Sequence, residues 1–249
     1  MRNVRTAREF LMRMYRGISV SGGKFEEVCA DLRANGLTLT SKATWRFEAV
    51  DLRSRIEDLV KKPDLSTDDT RPSRWVETPS GGQRVLTGAF PVVCACGDEL
   101  GATYYAIRHN RSDDKNSSIL VTFEAQLSDL HIDGRDFLYN FVFQMGHSEG
   151  QRRCALEIFG PALARYLDRA WQRNDTQYRI ALCDLAVQDL DVIEKHHANT
   201  VVIGGRYGTI FRSAFFVRLP VGPERILVVA PPRAMRFEPD ITKDKFLSL

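Results

Sequence analysis

The chain reads as an α+β protein whose strands and helices come in blocks. Three observations predict this. Runs rich in β-branched and aromatic residues recur through the middle and the last third. Segments with apolar residues at i, i+3, i+4 and i+7 stand between them. Neither an internal repeat nor a clean linker divides the 249 residues, so one domain spanning 1–249, with an inserted polar loop at about 63–84, is the simplest organisation.

The elements follow in order. Residues 3–13 fit a short amphipathic helix with Val4, Ala7, Phe10 and Leu11 on one face, and 13–17 a short strand. Ser19 to Gly23 supply a turn. Residues 24–35 are predicted helical through Phe25, Val28, Cys29 and Leu32, with Asn35-Gly36 as the stop. A second helix is expected over 45–62, ended by Lys61-Lys62-Pro63. The stretch 63–84, polar and rich in Pro, Ser, Thr and Gly, is expected to be a loop or a lid, with Trp75 docked on the body. Strands are predicted at 85–86, 90–94, 118–123 and 130–132, with a helix over 98–106 and a polar loop over 108–118. An aromatic run occupies 134–146, and a long helix over 151–173 is kinked or broken at Pro161. The last third is expected to be strand-rich, at 178–185, 200–203, 214–219 and 225–229.

Composition excludes several classes. Hydrophobic residues make up 43%, charged residues 27% and aromatics 10%, the profile of a globular protein. No run of about 18 apolar residues is present, so no membrane span is expected. The Arg-rich start lacks the apolar core of a signal peptide, and a cytoplasmic location is expected. Five cysteines, an odd number, argue against a secreted disulfide framework. Cys94 and Cys96 share one side of a strand, where core packing is favoured over a metal or redox role. The net charge of +3 does not by itself imply a nucleic-acid partner. Arg2, Arg5, Arg8, Arg13 and Arg16 form either a solvated face or a surface that steers phosphates. Phosphate-loop, zinc-protease, nucleophile-elbow and dinucleotide fingerprints are missing. His196-His197 reads as a solvated helix end, and no metal site is predicted.

What remains is an order of short motifs: YRGIS at 15–19, RANGL at 33–37, then a strand leading to DELGATYYA at 98–106, and Glu224 in GPERILVV. This order resembles the ADP-ribosyltransferase superfamily, the diphtheria-toxin and poly(ADP-ribose) polymerase-like fold, over about two-thirds of the chain. The resemblance implies a split mixed or antiparallel β-core with flanking helices, and NAD as substrate. It implies that Arg16, Gly17 and Ser19 hold NAD with Tyr104 and Tyr105, one tyrosine stacking on the nicotinamide ring. Catalysis would involve Arg16, Tyr105 and Glu224, the last stabilising the ribose cation or orienting the acceptor. ADP-ribose would pass to a macromolecular acceptor, protein or DNA/RNA, as in a bacterial toxin or phage-defence effector, with an antitoxin protein as a further partner. The residue types suit the chemistry. A guanidinium binds phosphate oxygens bidentately, glycine exposes backbone to a ligand, and a carboxylate stabilises a developing cation.

The sequence departs from the family in three places. The Ser-Thr-Ser triplet of the arginine-type toxins is replaced by Val-Cys-Ala-Cys-Gly, and the first-strand histidine of the polymerase-like branch by Arg16. A second alignment sets FRSAFFVRL on the catalytic strand and puts Ser213 where the acid belongs, implying a binding or inactive variant. The alternatives are therefore a non-catalytic module that binds nucleic acid or protein, and an NAD glycohydrolase. Asp133-Gly134-Arg135-Asp136 reads either as a turn or as a carboxylate–arginine group facing the pocket. Glu124 follows Val121-Thr122-Phe123 on a strand, facing solvent or salt-bridged.

Overall fold

A computed structural model describes residues 10–40, 46–108, 116–144, 147–205, 208–233 and 238–249. Arg2, Arg5 and Arg8, most of the helix expected over 3–13, and residues 109–115 of the expected polar loop lie outside them. Among the described residues eleven strands form: β1 (Leu11–Ser21), β2 (Arg46–Val50), β3 (Ser73–Val76), β4 (Gln83–Leu86), β5 (Ala89–Cys96), β6 (Asn116–Gln126), β7 (Leu130–Ile132), β8 (Ile203–Gly204), β9 (Ile210–Phe211), β10 (Ala214–Arg218) and β11 (Ile226–Ala230). The helices are α1 (Phe25–Asn35), α2 (Ile56–Leu59), α3 (Thr67–Thr70), α4 (Glu99–Ile107), α5 (Glu149–Phe159), α6 (Ala164–Gln172), α7 (Thr176–Ala186), α8 (Leu190–His197) and α9 (Lys243–Leu247). A π-helix covers Arg135–Phe143.

Seven strands make one antiparallel sheet in the order β11-β6-β1-β5-β10-β7, with β2 alongside β5. The chain is thus a mixed α/β protein on an antiparallel sheet. Strand β1 is paired with β6 along its whole length, from Leu11↔Gln126 to Ser21↔Asn116. Against β5 it makes one pair only, Tyr15↔Cys96. Strand β10 pairs with β5 from Val92 to Cys96, and β2 pairs with it from Ala89 to Val93. Since β10 shares partners with both β1 and β2, those two strands must lie on the other edge of β5. Between them, at Cys94 and Ala95, that edge is open.

Alternation along β1 sets its two faces. Met14, Arg16 and Ile18 are buried toward the main core. Tyr15 and Gly17 face α4, whose Asp98 cap accepts from the Gly101 amide at 2.9 Å. The helix lies so close that a Cβ on Gly17 would fall 1.9 Å from the Ala102 carbonyl oxygen and 2.6 Å from the Ala106 nitrogen. Both obstacles are backbone, so neither can swing away. On the far side, α1 ends at Gly36, with φ +72°, and Leu37 pairs with Val221 through two bonds of 2.9 Å. The stop expected at Asn35-Gly36 is where the chain turns onto the sheet.

Several elements differ from expectation. Residues 11–13, expected at a helix end, belong to β1. The helix expected over 45–62 is β2 followed by short helical turns. The Asp51 carboxylate accepts from the Arg53 amide at 3.1 Å and Gln188 Oε1 accepts from the Leu52 amide at 2.8 Å, so both backbone groups are taken before a helix can pass through. The stretch 63–84 holds α3, with a capping box between Ser66 and Asp69, and the β3–β4 hairpin. Trp75 is not docked: it is 66% exposed, with the Arg84 guanidinium 5.0 Å over its ring. The strand expected at 178–185 is α7, burying Tyr178, Ala181, Leu182 and Leu185. His196 is not solvated. It is 1% exposed, stacked on Phe159 at 4.6 Å, and its Nε2 accepts from the Ala214 amide at 3.1 Å. Among the described residues no helix is long and apolar enough to cross a membrane.

The contact under α4 predicts a contrast between glycines. Gly17→Ala should lower stability by about 3 kcal/mol, the upper end for overpacking. Gly23→Ala, with nothing within 4 Å of the added carbon, should be neutral or slightly stabilising. Urea denaturation checks both. Equal stability of the two variants would mean that α4 does not rest on Gly17.

Candidate functional site

The open edge of β5 draws several side chains together. The Arg16 Nη1 donates to the Cys94 carbonyl at 2.5 Å, filling the place where a neighbouring strand would have bonded. The guanidinium is 9% exposed, and burial pulls its pKa below the ordinary value, against an opposing influence from Cys94 and Cys96. Tyr105 packs beside Cys96 and Ala102, with Tyr15 and Leu120. Burial raises its hydroxyl pKa well above the ordinary value, and Cys96, Asp136, Asp133 and Cys94 add to the rise. Asp133 and Asp136 follow β7. Arg135 donates from Nε and Nη2 to the two Asp133 oxygens at 3.2 and 3.3 Å. Thr209 donates to Asp136 at 3.3 Å. The group expected either as a turn or as a pocket wall therefore supplies carboxylates to the surroundings of Tyr105 and Cys94.

The residues expected to bind NAD divide. Arg16 and Tyr105 both reach the Cys94–Cys96 stretch, but from opposite faces of the sheet, Arg16 at the Cys94 carbonyl and Tyr105 beside Cys96. Gly17 is covered by α4, so its bare face admits a helix and not a ligand. Ser19 lies opposite Ser118, whose hydroxyl donates to the Ala106 carbonyl at 2.7 Å. Tyr104 stands edge-on to Tyr105, with ring centroids 6.4 Å apart, and its hydroxyl donates to the Gly208 carbonyl. Glu224 is elsewhere. It is exposed, its carboxylate lies against Gly222, and it precedes β11, which β6 separates from β1. Two strand spacings, about 10 Å, intervene across the sheet alone. Ser213 sits directly before β10, where its backbone carbonyl accepts from the Gly97 amide at 3.2 Å. Its hydroxyl occupies the space above Gly97.

The cysteines offer no nucleophile at neutral pH. All five are free thiols. Burial pushes Cys94 up to about 12 and Cys154 up to about 11, and Cys29, Cys96 and Cys183 are raised as well. A protonated thiol is a poor nucleophile and metal ligand. Among the described residues no group of three His, Cys, Asp or Glu could hold a metal ion.

A second feature escaped the sequence. A cavity of about 480 Å³ opens between β2, β7, β10, the π-helix and α7. Phe47, Phe216, Ile132, Ile180 and Val187 give it apolar walls. His131 and Asn140 also line it, and His131 Nε2 and Asn140 Nδ2 are buried with no hydrogen-bond partner. Two of its walls, β2 and α7, come from segments whose secondary structure the sequence pattern misassigns. The periodic burial of Tyr178, Ala181, Leu182 and Leu185 was the available signal for α7. Of the expected pocket group, Gly134 and Arg135 line this cavity. Comparison of the chain with protein-family models, with curated proteins and with solved structures found no match.

His131 carries a pH signature. It is 2% exposed, and burial, then Arg53, lowers its pKa to about 3. The unfolded histidine takes its proton near pH 6.5, so its contribution to stability is complete above that pH. It is lost progressively as pH falls from about 6.5 toward 3. In His131→Leu the fall in unfolding free energy between pH 6 and 4 should be shallower by about 1.4 kcal/mol per pH unit. Chemical denaturation across that range reads it, and an unchanged slope would mean that this imidazole charges freely in the folded protein.

Proposed function

We propose that the chain is an NAD-dependent mono-ADP-ribosyltransferase working at the split between β1 and β5, with Asp136 rather than Glu224 as its carboxylate. The observation that carries this reading is the single Tyr15↔Cys96 pair joining β1 to β5, beside which Tyr105 and the Asp133–Asp136 carboxylates lie on the α4 face while Arg16 reaches the Cys94 carbonyl from the core face. In that arrangement Arg16 holds the floor of the split through the Cys94 carbonyl, and Tyr105 offers the aromatic face for nicotinamide. Asp136 supplies negative charge where the ribose becomes cationic. The bond between ribose C1′ and the nicotinamide nitrogen breaks, and nicotinamide leaves with the electron pair. The acceptor nucleophile then bonds to C1′ and gives its proton to the carboxylate. A preplaced anion accelerates such a step because it is stronger against the transition state than against the ground state.

A second reading is binding without transfer, and Ser213 favours it. The strand beside β5 begins next to this serine, whose hydroxyl caps Gly97, and no carboxylate stands in its place.

Nicotinamide release from NAD decides between the two. On the first reading the protein releases nicotinamide, Asp136→Asn slows release about 100-fold, and Glu224→Gln leaves it within about twofold. NAD that raises the melting temperature without release moves the protein to the second reading. Neither effect, or full loss in Glu224→Gln alone, would falsify the site. Transfer is separated from hydrolysis by the products: labelled acceptor against free ADP-ribose.

A further inference from the structure

The β3–β4 hairpin stands off the main sheet as a two-stranded ribbon of its own. Its base is clamped. Arg71 holds Asp184 of α7 in a two-pronged ion pair, and the Thr87 amide donates to the Pro72 carbonyl at 2.8 Å. Beyond that clamp the ribbon leaves the core: Ser73, Arg74, Trp75, Gln83 and Arg84 are all exposed. Trp75 is opposite Arg84 in the ladder, so the two side chains share one face. Gly82 is diagonal to Trp75 on that face and has no side chain; a Cβ there would lie 3.3 Å from Trp75 Cε3. The indole is flanked by bare backbone and by the Arg84 guanidinium, and it is still 66% exposed.

The charges point to an anionic partner. Between residues 71 and 86 stand Arg71, Arg74 and Arg84 against Glu77. Asp184 neutralises Arg71. Among the described residues no carboxylate pairs with Arg74 or Arg84. A guanidinium stacked on an indole keeps its N–H donors at its edge, where phosphate oxygens can take two of them. Three anionic partners can be weighed against this surface. A lipid bilayer needs an apolar tip to enter the acyl boundary, and the tip at 77–82 holds Glu, Thr, Pro, Ser and two Gly. An acidic peptide matches the arginines but brings no flat ring to Trp75. A nucleotide carries a flat ring and a phosphate in one unit. In a duplex the faces of the bases are stacked on each other, so an unpaired base is the one that can lie on the indole.

We propose that the β3–β4 hairpin is a binding surface for single-stranded nucleic acid, with an unpaired base stacked on Trp75 and neighbouring phosphates on Arg84 and Arg74. Arg84 works from the Trp75 face. Arg74 alternates to the other face of the ribbon, so the strand passes around the edge of the hairpin and meets one arginine on each side. The clamp on α7 holds the ribbon in place beforehand, which lowers the ordering cost of binding. This surface does not rest on the reading of the β1–β5 split.

The test is fluorescence anisotropy with a labelled oligothymidylate of about 12 nucleotides, within the usual site size, read together with the tryptophan emission of the protein. The oligonucleotide should bind saturably and quench part of that emission. Its affinity should fall about sevenfold between about 50 and 200 mM salt, the slope for two phosphate contacts on a single strand. Trp75→Ala should weaken binding about tenfold or more and remove the quenching, while Trp75→Phe, which keeps a flat ring, should retain most of the affinity. Arg84→Ala and Arg74→Ala should each lower the salt slope by about 0.7. All four variants alter exposed side chains and should melt within about 2 °C of the parent. Asp136→Asn should leave oligonucleotide binding intact whatever it does to NAD, which separates this surface from the transfer reading. No binding at the lower salt, binding that Trp75→Ala leaves unchanged, a preference for the duplex of the same sequence, or tighter binding of polyglutamate or of phosphatidylserine vesicles would each overturn the assignment.

Discussion

The hydrogen bond from Arg16 to the Cys94 carbonyl holds the two parts of the sheet in relation. Strand β5 gives one edge to two partners, β1 at Cys96 and β2 at Ala89–Val93, and the backbone between them has no strand to bond. A buried carbonyl without a donor would weaken the sheet at its centre. The guanidinium supplies that donor from a neighbouring strand, and a charge-assisted bond is worth about 1.5–3 kcal/mol. The cost is a cation taken out of water, visible in its lowered pKa. Everything near the split follows: α4 settles on Gly17, Tyr105 is pressed against Cys96, and the chain after β7 brings its carboxylates to the same place.

This arrangement changes what an arginine before a glycine means. In the motif reading both residues face a ligand. Here Arg16 is engaged with backbone and Gly17 is a seat for a helix. The two requirements are compatible with a ligand site only if the ligand uses the surroundings they create. The acidic residues at the split come from the Asp133–Asp136 segment, whose sequence looks like a common turn. Glu224, chosen for its place before a strand, stands in the turn before β11, an edge strand of the sheet.

Legibility of the sequence follows the physics of each segment. Helix α1 and its glycine stop were readable because apolar spacing, a left-handed residue and a pairing strand all agree. So were α4, β7, β10 and the break at Pro161. The segment Arg46–Lys62 was not, because the helix-favouring letters there are interrupted by Asp51 bonding its own backbone and by Gln188 from 136 positions away. Helix α7 was misread because Tyr178, Ile180 and Leu182 alternate as a strand would, while burial follows the 3.6-residue period. His196 looked like a polar terminus until Phe159 and the Ala214 amide enclosed it. No local signal marks the open edge of β5 at Cys94 and Ala95. The cavity is assembled from β2, β7, β10 and α7, and so could not be seen by any reading of one segment at a time.

The protonated thiols have a practical meaning. The five cysteines sit on four elements: Cys29 on α1, Cys94 and Cys96 on β5, Cys154 on α5 and Cys183 on α7. Alkylating reagents consume thiolate, so modification at a given position must wait until the surrounding structure opens. The four buried thiols, Cys29, Cys96, Cys154 and Cys183, are internal clocks of local opening, and the order in which they are labelled would map which parts of the molecule come apart first.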